Sequence, residues 1–188
     1  RGLRLLRQEP WECLASFILS STKQIVQIRQ IVELLCTRFG TPLEAPAGAR
    51  FTHAFPTAAR LAFVSEADLR ACKMGFRAPN LLAAARAVDS GELDLVAVGR
   101  GDVDAAREQL MQLPGVGPKI ANCVLLFAYG YQQAFPVDVW VMKALRQLYF
   151  PKRRPKPERL RRFVSSYFGP NAGYAQQYLF HYMRTREA

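Results

Sequence analysis

The chain has 188 residues, and 26 lysines and arginines against 15 aspartates and glutamates give it a formal net charge of +11. Half of the residues are hydrophobic and 22% are charged, which supports a folded core and excludes an intrinsically disordered chain. The longest apolar run, residues 123–129, is too short to cross a bilayer, and no signal-peptide pattern is recognisable. Such a basic chain favours a polyanionic partner, with nucleic acid ahead of an anionic membrane.

The cysteines exclude two classes of small domain. Four cysteines are too few for a disulfide scaffold, and they stand too far apart for a Cys-x-x-Cys metal site. We therefore expect reduced thiols and an intracellular protein. The chain begins at Arg1 without a methionine, which is compatible with a fragment of a longer protein.

The spacing of apolar residues and the positions of proline and glycine predict an all-α fold. A first helix begins at Pro10, and a second ends at Gly40 after a junction at residues 20–24. A loop is predicted over residues 41–55, followed by a short helix that Ser65 caps and Gly75 ends. Further helices are predicted over residues 79–88, 102–113, 118–129, 139–149, 157–168 and 172–186.

The most informative segment is the turn LPGVGPK at residues 113–119, which lies between two predicted helices. Gly115 and Gly117 permit a tight turn and a close approach of the main chain to another group. Main-chain N–H groups there and at the start of the following helix would suit an anion such as a DNA phosphate. A turn that merely joins two helices explains the two glycines alone equally well.

Two titratable residues near this turn suggest chemistry. Lys119 lies in the first turn of the following helix, where the helix dipole disfavours its positive charge and favours a neutral, nucleophilic amine. Asp138 follows at the start of another helix. Its carboxylate is an ordinary N-cap, a catalytic group, or both.

The hairpin, the lysine and the aspartate together resemble the helix-hairpin-helix (HhH-GPD) superfamily of DNA glycosylases. Five motifs in the same order are similar to the eukaryotic-type 8-oxoguanine DNA glycosylases and their bacterial relatives, and they span nearly the whole chain. The motifs are WECLASFILSS at 11–21, GFRA at 75–78, PGVGPKIANC at 114–123, PVDV at 136–139, and GPNAGYAQ at 169–176 with Leu179-Phe180.

Cysteine usage separates the branches of this superfamily. The endonuclease III and adenine-glycosylase branch carries four closely spaced C-terminal cysteines for an iron–sulfur cluster, whereas no cysteine follows Cys123 here. The resemblance therefore implies no cluster and no required cofactor. It also implies a structural monovalent cation at the hairpin, held by the main-chain carbonyls of Met111, Leu113 and Val116.

The resemblance assigns roles to individual side chains. It implies that Lys119 attacks C1′ of the damaged nucleoside while Asp138 stabilises charge at the sugar and helps to move protons. Cys123, one helical turn after Lys119, would form a dipole with it along the base. Gln176 would read the base edge and Phe180 would stack on the base, although a structural glutamine and a buried phenylalanine on a helix face are the alternative.

The DNA-contacting positions match the family only in part. Phe76 and Arg77 match its aromatic wedge and the arginine that reads the orphaned cytosine, with a core phenylalanine and a surface arginine as the alternative. The family's asparagine run is replaced from Thr22 onward, and a second cytosine-reading arginine is replaced by Gln27. The family's histidine after the catalytic aspartate is Trp140, which is expected to pack against the DNA backbone or the lysine. We therefore expect weak selectivity for the opposite base.

The expected architecture is two helical lobes flanking a DNA-binding cleft. Residues 21–134 form one lobe, with the helix-hairpin-helix at about residues 103–129, and residues 1–20 with 135–188 form the other. The family's N-terminal β-rich domain, which supplies a backbone acceptor to the oxidised base, is not found before Arg1, so we expect either that this member lacks it or that the chain is a fragment.

The function implied by the resemblance is removal of 8-oxoguanine from duplex DNA, with β-elimination at the abasic site through a lysine Schiff base. The expected partner is double-stranded DNA containing an oxidised guanine, bound by a monomer inside the cell and away from membranes. Two alternatives remain open: a glycosylase for another base, such as an alkylated base or thymine glycol, and a non-catalytic helix-hairpin-helix DNA-binding module.

Overall fold

The computed structural model describes residues 2–21, 24–44, 46, 48–49, 52–151 and 155–186. In these residues the fold is all-α, with one isolated β-bridge between Pro42 and His53. The α-helices are α1 (Pro10–Leu19), α2 (Ile25–Phe39), α3 (Ala58–Ala62), α4 (Glu66–Leu69), α5 (Ala78–Asp89), α6 (Leu95–Val98), α7 (Val103–Met111), α8 (Pro118–Val124), α9 (Val139–Leu148), α10 (Pro157–Tyr167) and α11 (Ala172–Arg186).

Side-chain caps explain where many of these helices begin. Ser65 and Asp102 accept hydrogen bonds from main-chain N–H groups of α4 and α7, as their positions in the sequence predict. The prediction missed α3 and α6, which Thr57 and Asp94 cap in the same way. Helices of five and four residues are too short to show a hydrophobic period, so only their caps could have revealed them.

The helix predicted over residues 118–129 changes geometry part-way along. After α8 the chain continues as a π-helical turn, Leu125–Tyr129, which Gly130 ends in the left-handed region at φ +72°. An irregular, kinked segment, Arg70–Met74, follows α4. Its backbone leaves helical geometry at Cys72 and Lys73, and a 3₁₀ turn, Gly75–Arg77, comes after it. None of the described helices has both the length and the apolar composition that spanning a membrane requires.

The buried side chains form two hydrophobic cores. The first contains buried side chains from Trp11 to Ala134 and the second from Phe135 to Met183. The expectation that residues 1–20 join the second lobe was wrong for α1. Its apolar face, including Leu14 and Ile18, is buried in the first core because α1 packs against α8.

A close contact joins the two cores. The N–H of Gly173, near the start of α11, donates to the main-chain oxygen of Gln132 at 2.6 Å. A Cβ at residue 173 would lie 2.5 Å from Leu126 Cδ1 and 2.8 Å from the oxygen of Ala134, so only glycine fits without a shift of its neighbours. The start of α11 is thereby held against the connection between the cores.

Candidate active site

Lys119 lies at the second position of α8, and its amine meets the end of α1. Nζ is 3.4 Å from Ser20 Oγ and 5.5 Å from the centroid of the Phe17 ring. Both neighbours belong to the last turn and C-cap of α1, which packs directly on α8. The half-buried lysine is therefore held by an element that precedes it by about one hundred residues.

The hairpin that precedes Lys119 depends on its first glycine. Gly115 has a φ of +78°, and a Cβ there would lie 2.2 Å from Asn80 Nδ2. Gly117 is the N-cap of α8, with no heavy atom within 4 Å of an added Cβ. Gly115 is thus needed for the turn itself, whereas Gly117 leaves an open surface on which another molecule can come close to the main chain.

Cys123 lies one turn after Lys119 and is 4% exposed. Burial raises the pKa of its thiol to about 12, although the positive charge of Lys119 acts in the opposite direction. The thiol is therefore protonated at neutral pH, and any dipole with Lys119 joins an amine or ammonium to a neutral thiol. The negative charge of Asp138 acts on this thiol as well and raises its pKa further.

Asp138 is the N-cap of α9, since its Oδ1 accepts a hydrogen bond from the N–H of Val141 at 2.8 Å. The capping interpretation is therefore confirmed. It does not conflict with a chemical role, because a carboxylate has a second oxygen that can act on a substrate while the cap is kept. Asp138 is half-buried, and its neighbour Val139 is 78% exposed, so the start of α9 faces open space.

The two predicted base-pocket residues on α11 differ in exposure. Gln176 is 3% exposed, and its Oε1 accepts a hydrogen bond from Gln177 Nε2 at 2.6 Å. Phe180 is half-buried on the second core, with the guanidinium carbon of Arg184 5.9 Å from its ring centroid. Because α11 packs along α9, both residues lie on the helix next to the one that Asp138 begins.

Phe76 and Arg77 are neighbours that differ in exposure, since the phenylalanine is exposed and the arginine is buried. Phe76 is 62% exposed, which excludes the core phenylalanine that the sequence left open. Arg77 is only 2% exposed, so the alternative of a surface arginine was wrong. Its Nη1 donates to the oxygen of Met74 at 3.3 Å, and its guanidinium lies 4.3 Å from the Phe76 ring centroid. Reading a base with Arg77 would require this guanidinium to turn outward.

The remaining predicted DNA contacts have ordinary structural positions. Gln27 is exposed, and its Oε1 accepts a hydrogen bond from the N–H of Gln24 at the start of α2. Trp140 is half-buried against the second core. Thr22 lies outside the described residues.

A family comparison bears on this arrangement. The model of the HhH-GPD superfamily base excision DNA repair protein matches residues 15–170, which include Lys119, Asp138 and the hairpin between α7 and α8. The chain belongs to the HhH-GPD superfamily.

Several individual proteins are similar to this chain over most of its length. A probable N-glycosylase/DNA lyase of Methanothermobacter thermautotrophicus is 33% identical over 98% of this chain and 64% of its own length. The 8-oxoguanine glycosylase/lyase of Clostridium acetobutylicum was solved in complex with double-stranded DNA containing cytosine opposite 8-oxoguanine. It is 36% identical with a TM-score of 0.92, and the match covers 100% of this chain and 63% of that chain. A 3-methyladenine DNA glycosylase from Archaeoglobus fulgidus is 27% identical with a TM-score of 0.77, over 97% and 61%. The chain thus spans less than two thirds of each relative.

The expected cation ligands of this HhH-GPD chain are main-chain oxygens at the end of α7 and in the hairpin. The oxygen of Leu113 accepts a hydrogen bond from the N–H of Val116 at 3.1 Å, which uses one of its two lone pairs. Leu113 and Val116 have buried side chains, while Met111 is 38% exposed. Uncharged carbonyl oxygens fit a weakly bound monovalent cation, so the donor set is compatible with the expected site.

Sequence reasoning missed the two residues that contact the Lys119 amine, Ser20 and Phe17. The family resemblance includes the motif at residues 11–21 that contains them but assigns neither residue a role. The contact of Ser20 with Lys119 spans 99 residues, and both contacts arise from helix packing, so no local spacing in the sequence encodes them.

Proposed function

We propose that this protein removes 8-oxoguanine from duplex DNA and then cleaves the strand at the resulting abasic site by β-elimination. The observation that carries the proposal is the placement of Lys119. Its half-buried amine directly follows the hairpin and is contacted by Ser20 and Phe17 of α1, while the Asp138 carboxylate begins α9. A primary amine that acts as nucleophile and a carboxylate that moves protons are the two groups that Schiff-base chemistry at a sugar requires. The N-glycosylase/DNA lyase and 8-oxoguanine glycosylase/lyase names of the similar proteins support the same reaction class.

The reaction uses the neutral Lys119 amine as nucleophile. Its lone pair forms a bond to C1′ while the glycosidic C–N bond breaks, and the base leaves with the electron pair and takes up a proton. The nitrogen then loses a proton and forms a C=N bond as the C1′–O4′ bond opens, with a proton going to O4′. Loss of a C2′ proton and breakage of the C3′–O bond release the 3′ phosphate. Asp138 stabilises positive charge at the sugar and helps to move these protons.

The base pocket is assigned to Cys123, Gln176 and Phe180. A base must leave the stack before chemistry, at a cost of a few kcal/mol that pocket contacts offset. In this proposal the neutral Cys123 thiol lies along the base, the Gln176 amide reads its edge and the Phe180 ring stacks on its face. Gln176 must give up its contact with Gln177 to do so.

Several groups are proposed to bind the DNA itself. Main-chain groups at Gly115 and Gly117, with a monovalent cation on the carbonyls of Met111, Leu113 and Val116, bind the backbone of one strand. Phe76 fills the gap left by the extruded base, and Arg77 turns outward to the orphaned base. Gln27 and Trp140 complete the surface, and Thr22 is assigned to DNA contact from its place in the sequence alone. The net charge of +11 attracts the duplex as a whole to a monomeric, DNA-associated protein.

The second candidate function is removal of a different base, because the Archaeoglobus fulgidus relative is named as a 3-methyladenine DNA glycosylase. This function predicts excision of alkylated bases with no covalent adduct. A purely DNA-binding module predicts neither excision nor an adduct, and the presence of both Lys119 and Asp138 argues against it.

The test is borohydride trapping on duplexes that each carry one lesion: 8-oxoguanine, 3-methyladenine, thymine glycol or an abasic site. We expect a trapped adduct with 8-oxoguanine and with the abasic site. Lys119→Gln should abolish the adduct and base release while duplex affinity stays within about tenfold, since the hairpin donors are main-chain groups. An adduct that persists in Lys119→Gln would refute the assignment of the nucleophile, and excision of 3-methyladenine alone would favour the second candidate.

A further inference from the structure

The contact between Lys119 and Ser20 has a defined direction, because the hydroxyl proton of Ser20 is already used. Ser20 Oγ donates to the main-chain oxygen of Phe17 at 2.7 Å, and a serine hydroxyl has a single proton. Lys119 Nζ lies 3.4 Å from the same Oγ. The amine is therefore the donor and Ser20 the acceptor, so Ser20 does not occupy the lone pair of a neutral Lys119 amine.

The aromatic ring of Phe17 is a second group that contacts the Lys119 nitrogen. Its centroid is 5.5 Å from Nζ, and the negative face of an aromatic ring attracts N–H groups and positive charge. The ring is itself held by stacking on Phe127, with centroids 5.7 Å apart and planes 14° from parallel. Groups of α1 thus take two of the three hydrogen positions on Nζ, which leaves the third for another partner.

We propose that Ser20 and Phe17 are positioning residues that direct the Lys119 lone pair at the substrate sugar, an inference that rests on the proposed function. When Nζ loses a proton, its two remaining N–H groups stay on the Ser20 oxygen and the Phe17 ring. The lone pair then takes the third direction. The amine attacks without first breaking a hydrogen bond to its lone pair, and its rotation about the end of the side chain is restricted. Small errors in such alignment slow a reaction strongly.

The experiment measures single-turnover borohydride trapping on a duplex with one abasic site opposite cytosine, together with the dissociation constant for that duplex. Ser20→Ala should lower the rate constant of adduct formation by about tenfold or more, within the range expected for lost alignment. The dissociation constant should stay within about twofold, because a positioning role acts on the rate and not on DNA affinity. Ser20→Thr should restore the rate, since its hydroxyl can make the same bond to the oxygen of residue 17.

Ser90 supplies a matched control. It is the C-cap of α5, and its Oγ donates to the oxygen of Ala87, three residues earlier, as Ser20 Oγ does to Phe17. Ser90→Ala should therefore trap at the wild-type rate. Phe17→Leu keeps an apolar side chain but removes the ring face, so we expect a several-fold loss. Thermal unfolding of each variant checks the fold, and Ser20→Cys, a poor acceptor of similar size, replaces Ser20→Ala if that variant does not fold.

The inference is overturned if the variant without the Ser20 oxygen traps at the wild-type rate, or if Ser20→Thr is as slow as that variant. Equal slowing in Ser90→Ala also overturns it, because the effect would then belong to any helix end. Failure of the proposed function gives a different result: wild type forms no adduct, or Lys119→Gln still forms one.

Discussion

Substitution by alanine should destabilise the fold at Gly115 but not at Gly117. At Gly115 the added Cβ must adopt a φ of +78° and would lie 2.2 Å from Asn80 Nδ2 and 2.8 Å from Asn80 Cγ. The left-handed backbone costs about 1–2 kcal/mol, and the overlap costs about 1–2 kcal/mol more because Asn80 is half-buried and moves only in part. We therefore expect Gly115→Ala to lower the free energy of unfolding by about 2–4 kcal/mol, or the melting temperature by roughly 4–16 °C.

Gly117→Ala is the control, because its Cβ meets no heavy atom within 4 Å and its φ is −97°. Its free energy of unfolding should stay within about 0.5 kcal/mol of wild type, the usual range for a surface change. If DNA approaches this surface, the added methyl should nevertheless weaken duplex binding. Urea denaturation and fluorescence anisotropy at fixed salt measure the two effects.

The double variant Gly115→Ala/Asn80→Ala separates the two costs at the hairpin. Truncating Asn80 removes the overlap but not the backbone strain, so the coupling energy of the cycle should be about 1–2 kcal/mol. Equal destabilisation by Gly115→Ala and Gly117→Ala would refute the reasoning, since it would mean that neither the φ nor the neighbour decides the cost.

Four further results are expected. Asp138→Asn should slow excision by about two orders of magnitude with little loss of stability, because the amide oxygen can keep the cap; a large fall in melting temperature with normal excision would instead favour a capping role alone. Burial raises the pKa of the Cys13 and Cys123 thiols from 9.0 to about 12. Between pH 9 and 12 the folded state therefore keeps thiol protons that the unfolded state loses. The free energy of unfolding should fall over this range by up to about 1.4 kcal/mol per pH unit for each thiol. Urea midpoints should show a shallower fall in Cys13→Ala. Lys73 has a φ of +63°, so Lys73→Gly should be more stable than Lys73→Ala by about 1 kcal/mol in the same assay. Excision opposite cytosine should exceed that opposite the other bases by only about tenfold, and Arg77→Ala should reduce the difference; strict cytosine dependence unaffected by that change would point to another reader.

The sequence predicted the parts of the site that depend on local chemistry. Lys119 and Asp138 stand at helix starts that proline and glycine mark, and Asp138 acts as the cap that its position indicates. The helix boundaries follow for the same reason, since caps and turns are encoded within a few residues.

The parts that depend on packing could not be read from the sequence. Arg77 follows an exposed phenylalanine on an irregular turn, yet it is buried beneath that ring because the main chain of Met74 accepts its hydrogen bond. The placement of α1 in the first core has the same origin. A helix with an apolar face can pack on either lobe, and only the complementary surface of α8 decides between them.

This placement of α1 divides the chemistry between the two cores. Lys119 and the residues that hold its amine, Ser20 and Phe17, all lie on helices of the first core, so their geometry is fixed within one packed unit. Asp138 begins the first helix of the second core, and the two cores meet closely where Gly173 packs on Leu126 and the chain before Phe135. The proposed nucleophile and the proposed carboxylate therefore come from helices of different cores. The glycine contact holds the start of α11 against the first core at this point, because any side chain at residue 173 would meet Leu126 and the oxygen of Ala134.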